Sequence, residues 1–510
     1  MTRKKIATTV EIPSGQTSYV EITEDHSILI ANVQGQYHAV YGKCSHYNLP
    51  LKNAAVCEHR IRCPFHHACF DLRDGTQLET PGIGGLASYE LEVEGNDIYV
   101  HLPEDWNGHP VIEEAKNDHD EHHVIIGGGV AAANAIYGMR EAGCQARITL
   151  ISAEEKVPYD RTALSKAYLQ GNKDAEALPL LPEGWYDQMK VELRLNTRVY
   201  EANAIDKTIT LEGGEQLTFN KLLIATGGSP RSLSVDGADL ENVFTVRNFG
   251  ESKALLAAAE KAERVVVIGA GFIGLEIAMS LGKHDCHVTV VAPDTTLFEK
   301  QWGERVGRYV QSLHEEAGVT FQLGHGVEKL SGEYGKVNSV TMKNGHELSA
   351  DLVVIGIGVS PNTDFIVGAA MAENGGLAAD QYLSVAKDVY AAGDIVEYPD
   401  PSSGRVRIEH WKVAGQQGRI AGKNMATNTN GQVPYRSLPY FWSNQQGKNF
   451  RYAGHAENWD RIDFDGRPED GEFIARYFKD GQLMAVLGLG RDQEVAEMVE
   501  KMNKNRSDAT

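Results

Sequence analysis

HHVIIGGGVAAANAIYGMREAG, residues 122–143, decides the fold of most of this chain. A short β-branched apolar run meets three glycines, and an alanine-rich stretch of helical period follows. Gly127, Gly129 and Ala132 take the marked positions of G-x-G-x-x-A. Such residues permit a tight turn and let backbone approach a pyrophosphate, which the helix N-terminus behind it attracts. The pattern returns in ERVVVIGAGFIGLEIAMSLGKHDCHVTVV, residues 263–291, with Gly269, Gly271 and Gly274 as G-x-G-x-x-G. Two strand–turn–helix–strand units imply two Rossmann-like α/β dinucleotide-binding domains. VYAAGD, residues 389–394, and the helical stretch after it return to the vocabulary of the first unit. The second domain is therefore expected to be inserted in the first.

Outward from this core the text changes character. Residues 1–104 read as short strands and turns with no long helical period, and SYELEVEGNDIYVHL reads as a late hairpin. This predicts an all-β domain. The polar stretch 105–120 reads as a linker. The first dinucleotide domain is expected at 121–245 and 379–430, the second at 246–378, and a small α+β C-terminal domain at 431–510.

At 510 residues the chain is too long for one hydrophobic core. Its net charge of −21 argues against nucleic acid and anionic membrane as partners. The N-terminus has no apolar signal region, and no run reaches the roughly 18–20 apolar residues of a membrane helix. A cytoplasmic protein is the expectation. Four of the six cysteines crowd into residues 44–69, which fits a metal site in a reducing compartment better than a disulfide scaffold.

Those cysteines come with histidines. Cys44-Ser45-His46 and Cys63-Pro64-Phe65-His66 are two-ligand loops in the order C-H-C-H. Two thiolates on one iron and two imidazoles on the other define a Rieske [2Fe–2S] centre. The competing reading, a zinc site, expects its two cysteines together and its two histidines together. Cys57 and Cys69 are not expected to be ligands, and the two-residue gap favours His66 over His67. CSHYNLPL…CPFHHACFDLRDG resembles the cluster-binding segment of Rieske ferredoxins. The resemblance implies glycine after the second ligand histidine, where this chain has His67, a departure that could strain the loop. High-potential members carry a further, disulfide-forming cysteine where this chain has Asn48. Its absence resembles the low-potential class that nicotinamide-derived electrons can reduce.

The strand after the first glycine motif should end on a carboxylate for the ribose; Glu154 is the choice and Glu155 the runner-up. VPYDRTALSKAYL, residues 157–169, resembles a segment of the putidaredoxin-reductase and apoptosis-inducing-factor family of flavoproteins. The resemblance implies FAD and gives Arg161 and Lys166 to it. It extends to LLIATGGSP with Thr226 and Gly227, and to VYAAGDI with Gly393 and Asp394. It also covers EHWKVAGQQG with Glu409, His410 and Trp411, and PYFWS with Trp442 near the flavin. Core packing is the plain alternative for either tryptophan.

In the second domain the resemblance places Glu276 near the nicotinamide. It also marks Gly356, Gly358 and Pro361 in LVVIGIGVSPNTDF. The strand ending Ala292-Pro293 lacks a ribose carboxylate, yet no arginine stands there for a 2′-phosphate. NADH is preferred, with NADPH left open. The whole layout resembles the Rieske-containing branch of apoptosis-inducing-factor-like proteins.

These readings predict an NAD(P)H oxidoreductase that passes electrons through FAD to the cluster. A one-electron acceptor protein follows: a ferredoxin, a cytochrome or an oxygenase. No acid or base is required for hydride transfer; Lys166, Glu276 and His410 are the residues expected near the reacting rings. A slow flavoprotein redox sensor is the alternative. A disulfide reductase would need a cysteine pair after the first glycine motif, and only Cys144 lies there. Reversed electron flow and a homodimer stay open. An oxygenase needs a mononuclear iron site, and the clump His119, His122 and His123 reads instead as solvated linker.

Overall fold

The computed structural model describes residues 2–104, 108–110, 112–117 and 119–508. The first domain is all-β. Strands Thr2–Thr8, Asp97–Leu102, Ser88–Glu94, Gln36–Tyr41, Ser27–Val33 and Thr17–Glu21 lie side by side in that order as one antiparallel sheet. A second antiparallel sheet runs Ala55–Cys57, Arg60–Arg62, Cys69–Asp71, Gln77–Glu79. Ser27–Val33 is buried along its whole length, so this short β-branched run forms the floor of the core. The hairpin expected in SYELEVEGNDIYVHL forms, with Glu94 opposite Asp97 and Gly95 at positive φ in the turn.

The next sheet proves the insertion. Its order is Val191–Arg194, Ala146–Ile151, His119–Ile126, Lys221–Ile224, Val389–Ala391, Ser384–Ala386. The chain leaves it after Ile224 and returns in parallel register, Leu222 against Val389. Between these points a second, wholly parallel sheet forms from Val243–Phe244, Leu352–Ile355, Arg264–Ile268, His287–Ala292 and Thr320–Leu323. The helices Val130–Glu141 and Trp411–Ala426 of the first dinucleotide domain pack closely on each other. A Cβ at Gly418 would stand 2.0 Å from the Ala131 carbonyl, and one at Gly422 2.2 Å from that of Ala135. These glycines, four apart on one helical face, are what lets the helices touch.

The last domain is an antiparallel sheet, Tyr440–Gln445, Lys448–Gly454, Gln482–Leu489, Glu472–Lys479, Arg461–Arg467, followed by the helix Asp492–Asp508. Its apolar face shares one core with the second parallel sheet, through Trp302, Phe450, Phe473 and Tyr477.

Two expectations change. The linker at 105–120 lies partly outside the described residues, and its described end is not free. Ala115 is buried, Lys116 N donates to Gln145 Oε1 at 2.8 Å, and Asn117 Nδ2 donates to Lys190 O at 3.0 Å. The strand already starts at His119, so His122 and His123 of the histidine clump are not solvated linker. His122 and His123 are buried in it, and His122 bonds Thr218 O and Thr149 Oγ1, both at 2.8 Å. Central strands of a parallel sheet are covered on both faces, which buries whatever residues they carry.

Candidate functional site

Two loops of the first domain carry the sulfur and imidazole donors, and they share one backbone design. In the first, Cys44 N donates to Leu49 O at 2.8 Å and Asn48 N to Cys44 O at 3.0 Å. In the second, Cys63 N donates to Ala68 O at 2.9 Å and His67 N to Cys63 O at 3.1 Å. Asn48 and His67 are therefore equivalent, each at positive φ, 53° and 60°. Asn and His are among the side chains that tolerate this region best, so His67 fills a glycine position without breaking the loop.

Cys44 and Cys63 are buried free thiols hydrogen-bonded to one another. His46 and His66 face each other with Nδ1 atoms 3.2 Å apart. Burial holds both imidazoles neutral, pushing His46 down to about 4 and His66 to about 3. Neutral imidazole is the ligating form. Among the described residues no three His, Cys, Asp or Glu side chains converge as a single-ion site. A thiol pair beside an imidazole pair suits two irons better than one zinc. The other cysteines nearby turn elsewhere: Cys69 Sγ contacts Glu500 Oε1 at 3.7 Å.

This donor set lies against the reductase body. The Tyr47 ring stacks on His46 at 3.8 Å, and its hydroxyl donates to Asp160 Oδ2 at 2.7 Å. Trp442 packs on His66, ring centroids 4.7 Å apart, on His46 at 6.0 Å and on His410 at 5.6 Å. It thus touches the metal-site histidines as well as the segment expected at the flavin. His67 stacks on Tyr440 at 4.0 Å. Trp411 begins the helix Trp411–Ala426 and packs part-buried on the core of the first parallel sheet. His410 caps that helix, accepting from Lys412 N, and burial pushes it down to about 3.

The first glycine motif forms as its spacing predicts. Gly127 has φ +121°, and a Cβ there would meet the Ala225 carbonyl at 2.2 Å. Gly129 caps the helix Val130–Glu141, which has no acidic residue in its first turn, and the space at its Cα is open. An anion fits there. Ala132 is fully buried behind it. Glu154 follows the next strand, accepts from Tyr159 OH at 2.7 Å and pairs with Arg161 at 2.5 Å. Arg161 also donates to Arg247 O at 3.0 Å, so its fork is engaged by protein. Arg247 pairs with Asp394 at 3.0 Å beside Gly227. Thr226 Oγ1 donates to Asn362 O at 2.8 Å, and Gly393 N donates to Gln417 Oε1 at 2.8 Å.

The second motif repeats this geometry. Gly269 has φ +112° and Gly358 φ +98°; a Cβ on Gly269 would meet Gly356 O at 2.3 Å, and one on Gly274 would meet Gly269 O at 2.1 Å. Gly271 caps the helix Phe272–Leu281. On that helix Glu276 is buried and receives Lys166 Nζ at 2.6 Å and Ser165 Oγ at 2.8 Å. Two residues assigned separately to the flavin and the nicotinamide are thus one ion pair between the domains.

Tyr47, Asp160, Arg247, Lys412 and Arg451 escaped the sequence reading. Tyr47 and Asp160 stood inside quoted motifs. Lys412 stood inside the quoted EHWKVAGQQG as well, while Arg247 and Arg451 have no local signature; the partners of all five lie far along the chain.

Residues 121–418 match the pyridine nucleotide-disulphide oxidoreductase family. The chain belongs to that family. Residues 2–90 match the Rieske [2Fe-2S] domain and 440–509 the reductase C-terminal domain. Human apoptosis-inducing factor 3 is 30% identical over 98% of this chain and 83% of its own length. Rhodocoxin reductase of Rhodococcus erythropolis is 33% identical over 73% of this chain and 87% of its own. The solved covalent putidaredoxin reductase–putidaredoxin complex aligns with TM-score 0.71 at 28% identity, covering 76% of this chain and 94% of that one. This pyridine nucleotide-disulphide oxidoreductase is a ferredoxin-reductase-like enzyme of FAD and NAD(P)H that carries a Rieske [2Fe–2S] domain. Despite the family's name, Cys144 is a free cysteine whose Sγ lies 3.8 Å from His123 Nδ1, not beside a second cysteine. No helix among the described residues is long and apolar enough to cross a membrane.

Proposed function

We propose that this chain oxidises NADH at FAD and passes the electrons singly to a Rieske cluster held by Cys44, His46, Cys63 and His66, and from there to an electron-transfer protein. The observation that carries the proposal is Trp442, whose ring packs against His66 and His46 as well as His410. The metal-site histidines and the flavin-side segment thereby share one aromatic side chain.

FAD supplies hydride acceptance and the split of two electrons into single ones. The chain's residues do the rest. Gly127, Gly129 and Ala132 cradle the FAD pyrophosphate, with Glu154 at the ribose and Arg161, Thr226, Gly227, Gly393 and Asp394 around the remainder. Gly269, Gly271, Gly274 and Gly358 receive the dinucleotide of NADH. The Lys166–Glu276 pair would hold FAD and NADH at the seam between their domains, and His410, Trp411 and Trp442 would keep water from them.

The acceptor is a ferredoxin, a cytochrome or an oxygenase component. The named putidaredoxin complex of a related reductase supports a protein acceptor. The acidic chain is taken to work in the cytoplasm, with the domains bounded as read above except that the first dinucleotide domain begins at His119 and the second by Val243, and NADH is preferred to NADPH. Full-length kinship with apoptosis-inducing factor 3 favours one second reading, a slow NADH-sensing flavoprotein.

Anaerobic NADH titration with EPR tests the proposal. Flavin bleaching accompanied by a growing rhombic Rieske signal is expected. Bleaching with an unreduced cluster would overturn the internal route. Turnover with no protein acceptor tried, alongside a long-lived reduced enzyme, would favour the sensor.

A further inference from the structure

The second ligand loop is held from behind by cations, two of which belong to the reductase half of the chain. Arg451, on the strand Lys448–Gly454, donates from Nε to Phe65 O at 3.1 Å and to Pro64 O at 3.2 Å. Lys412 Nζ, on the helix Trp411–Ala426, donates to His67 O at 3.1 Å. Arg62 Nη1 donates to the same carbonyl at 2.9 Å. All three cations are buried: side-chain exposure is 6% for Arg451, 4% for Lys412 and nil for Arg62.

The far side of those peptides points at sulfur. Phe65 N and His66 N both hydrogen-bond Cys63. The N–H and C=O of a trans peptide point in opposite directions. Arg451 therefore pulls on the oxygens of the Pro64–Phe65 and Phe65–His66 peptides, whose N–H groups end on the Cys63 sulfur. Hydrogen bonds in such a chain polarise one another, and a buried charge acts with little screening. Counter-charges complete the arrangement. Asp492 pairs with Arg451 at 2.8 Å from the outer side, and Glu79 pairs with Lys412 at 3.0 Å.

We infer that Arg451, seconded by Lys412, is a positioning residue that sets the cluster's reduction potential from the reductase side of the interface. The inference rests on the reading that Cys63 is a cluster ligand. An electron received by a cluster at this site would add one negative charge there. Arg451, acting through the polarised N–H donors on Cys63, would stabilise that charge, and Lys412 adds a second buried positive charge at the neighbouring His67 carbonyl. The potential would thus depend on the docked pair of domains, because Arg451 and Lys412 belong to the reductase half.

The test is an EPR-monitored redox titration of the full-length, cluster-loaded protein. Arg451→Gln is expected to lower the midpoint potential by about 59 mV, a tenfold change in the one-electron equilibrium. Arg451→Lys, which keeps the charge, should recover most of it. Asp492→Asn removes the counter-charge and should raise the potential. Lys412→Gln and Glu79→Gln should repeat the opposed pair of signs. General loosening of the interface would move each pair in one direction; that result, or unmoved potentials with a normal Rieske signal, overturns the inference. If Arg451→Gln fails to load a cluster, the opposed shifts of Asp492→Asn and Lys412→Gln decide it. No Rieske signal in the unaltered protein would instead sink the cluster assignment.

Discussion

Lys166 Nζ lies 2.6 Å from Glu276 Oε2, and this contact joins the flavin-binding half of the reductase to the helix behind the second glycine motif. Glu276 is nearly buried and Lys166 about three-quarters so. Removing the lysine strands a buried carboxylate with Ser165 as its remaining donor. Lys166→Met is expected to slow flavin reduction by NADH by about 10- to 100-fold, or ~1.4–2.8 kcal/mol in barrier. Glu276→Gln, which still accepts from Ser165, should cost less. Stopped-flow bleaching at 450 nm measures both; equal rates in all three proteins would remove the pair from the mechanism.

Trp442 separates two steps. Trp442→Ala should leave NADH-driven flavin bleaching within about threefold of normal and slow cluster reduction by at least tenfold, about 1.4 kcal/mol. Trp442→Phe, which keeps an aromatic ring on His66, should lie between. Freeze-quench EPR times the cluster step. Parallel slowing of both steps would mean that Trp442 serves the flavin site alone.

The Tyr47–Asp160 bond tests docking. Asp160 is buried and its carboxyl is held below the usual range; desolvation opposes this, while hydrogen bonds from Thr162 and Tyr47 and the charge of Lys173 prevail. Tyr47→Phe keeps the stack on His46 and deletes one hydrogen bond to a charged acceptor, worth about 1.5–3 kcal/mol. The melting temperature should fall with the cluster signal unchanged. An unaltered melting curve would show that water replaces the hydroxyl at no cost.

Acid should destabilise the protein before its carboxylates titrate. Burial pushes His410 down to about 3 and His123 to about 4. The unfolded chain takes up those protons below about pH 6.5, the ordinary histidine value. The folded chain refuses them until about pH 3–4. Stability present above about pH 6.5 is therefore lost as pH falls through this window, by up to ~1.4 kcal/mol per pH unit for each histidine. Melting temperature should drop between pH 7.5 and 5.5, and His123→Gln should flatten the drop. A flat profile in the unaltered protein contradicts the burial argument.

The chemistry of this protein is written locally. G-x-G-x-x-A and G-x-G-x-x-G need only a few consecutive residues to make the turn and the close backbone approach, so residues 127–132 and 269–274 were legible. The two donor loops were legible too, because a cysteine and a histidine one or two residues apart stand in each, and the fold brings Cys44 to Cys63 and His46 to His66. Burial of His122 and His123 was not, since it follows from the strand's central place in a parallel sheet. The equivalence of His67 with Asn48 also appeared only when both loops showed the same backbone bonds. What tertiary structure decided is which chemistry meets which: Tyr47 with Asp160, Trp442 with His66, Lys166 with Glu276, Arg451 with the peptides on Cys63. Partners separated by 110 residues or more leave no periodic trace in sequence. Their meeting depends on how three cores pack, which brings a dinucleotide reductase and a thiol–imidazole quartet into contact.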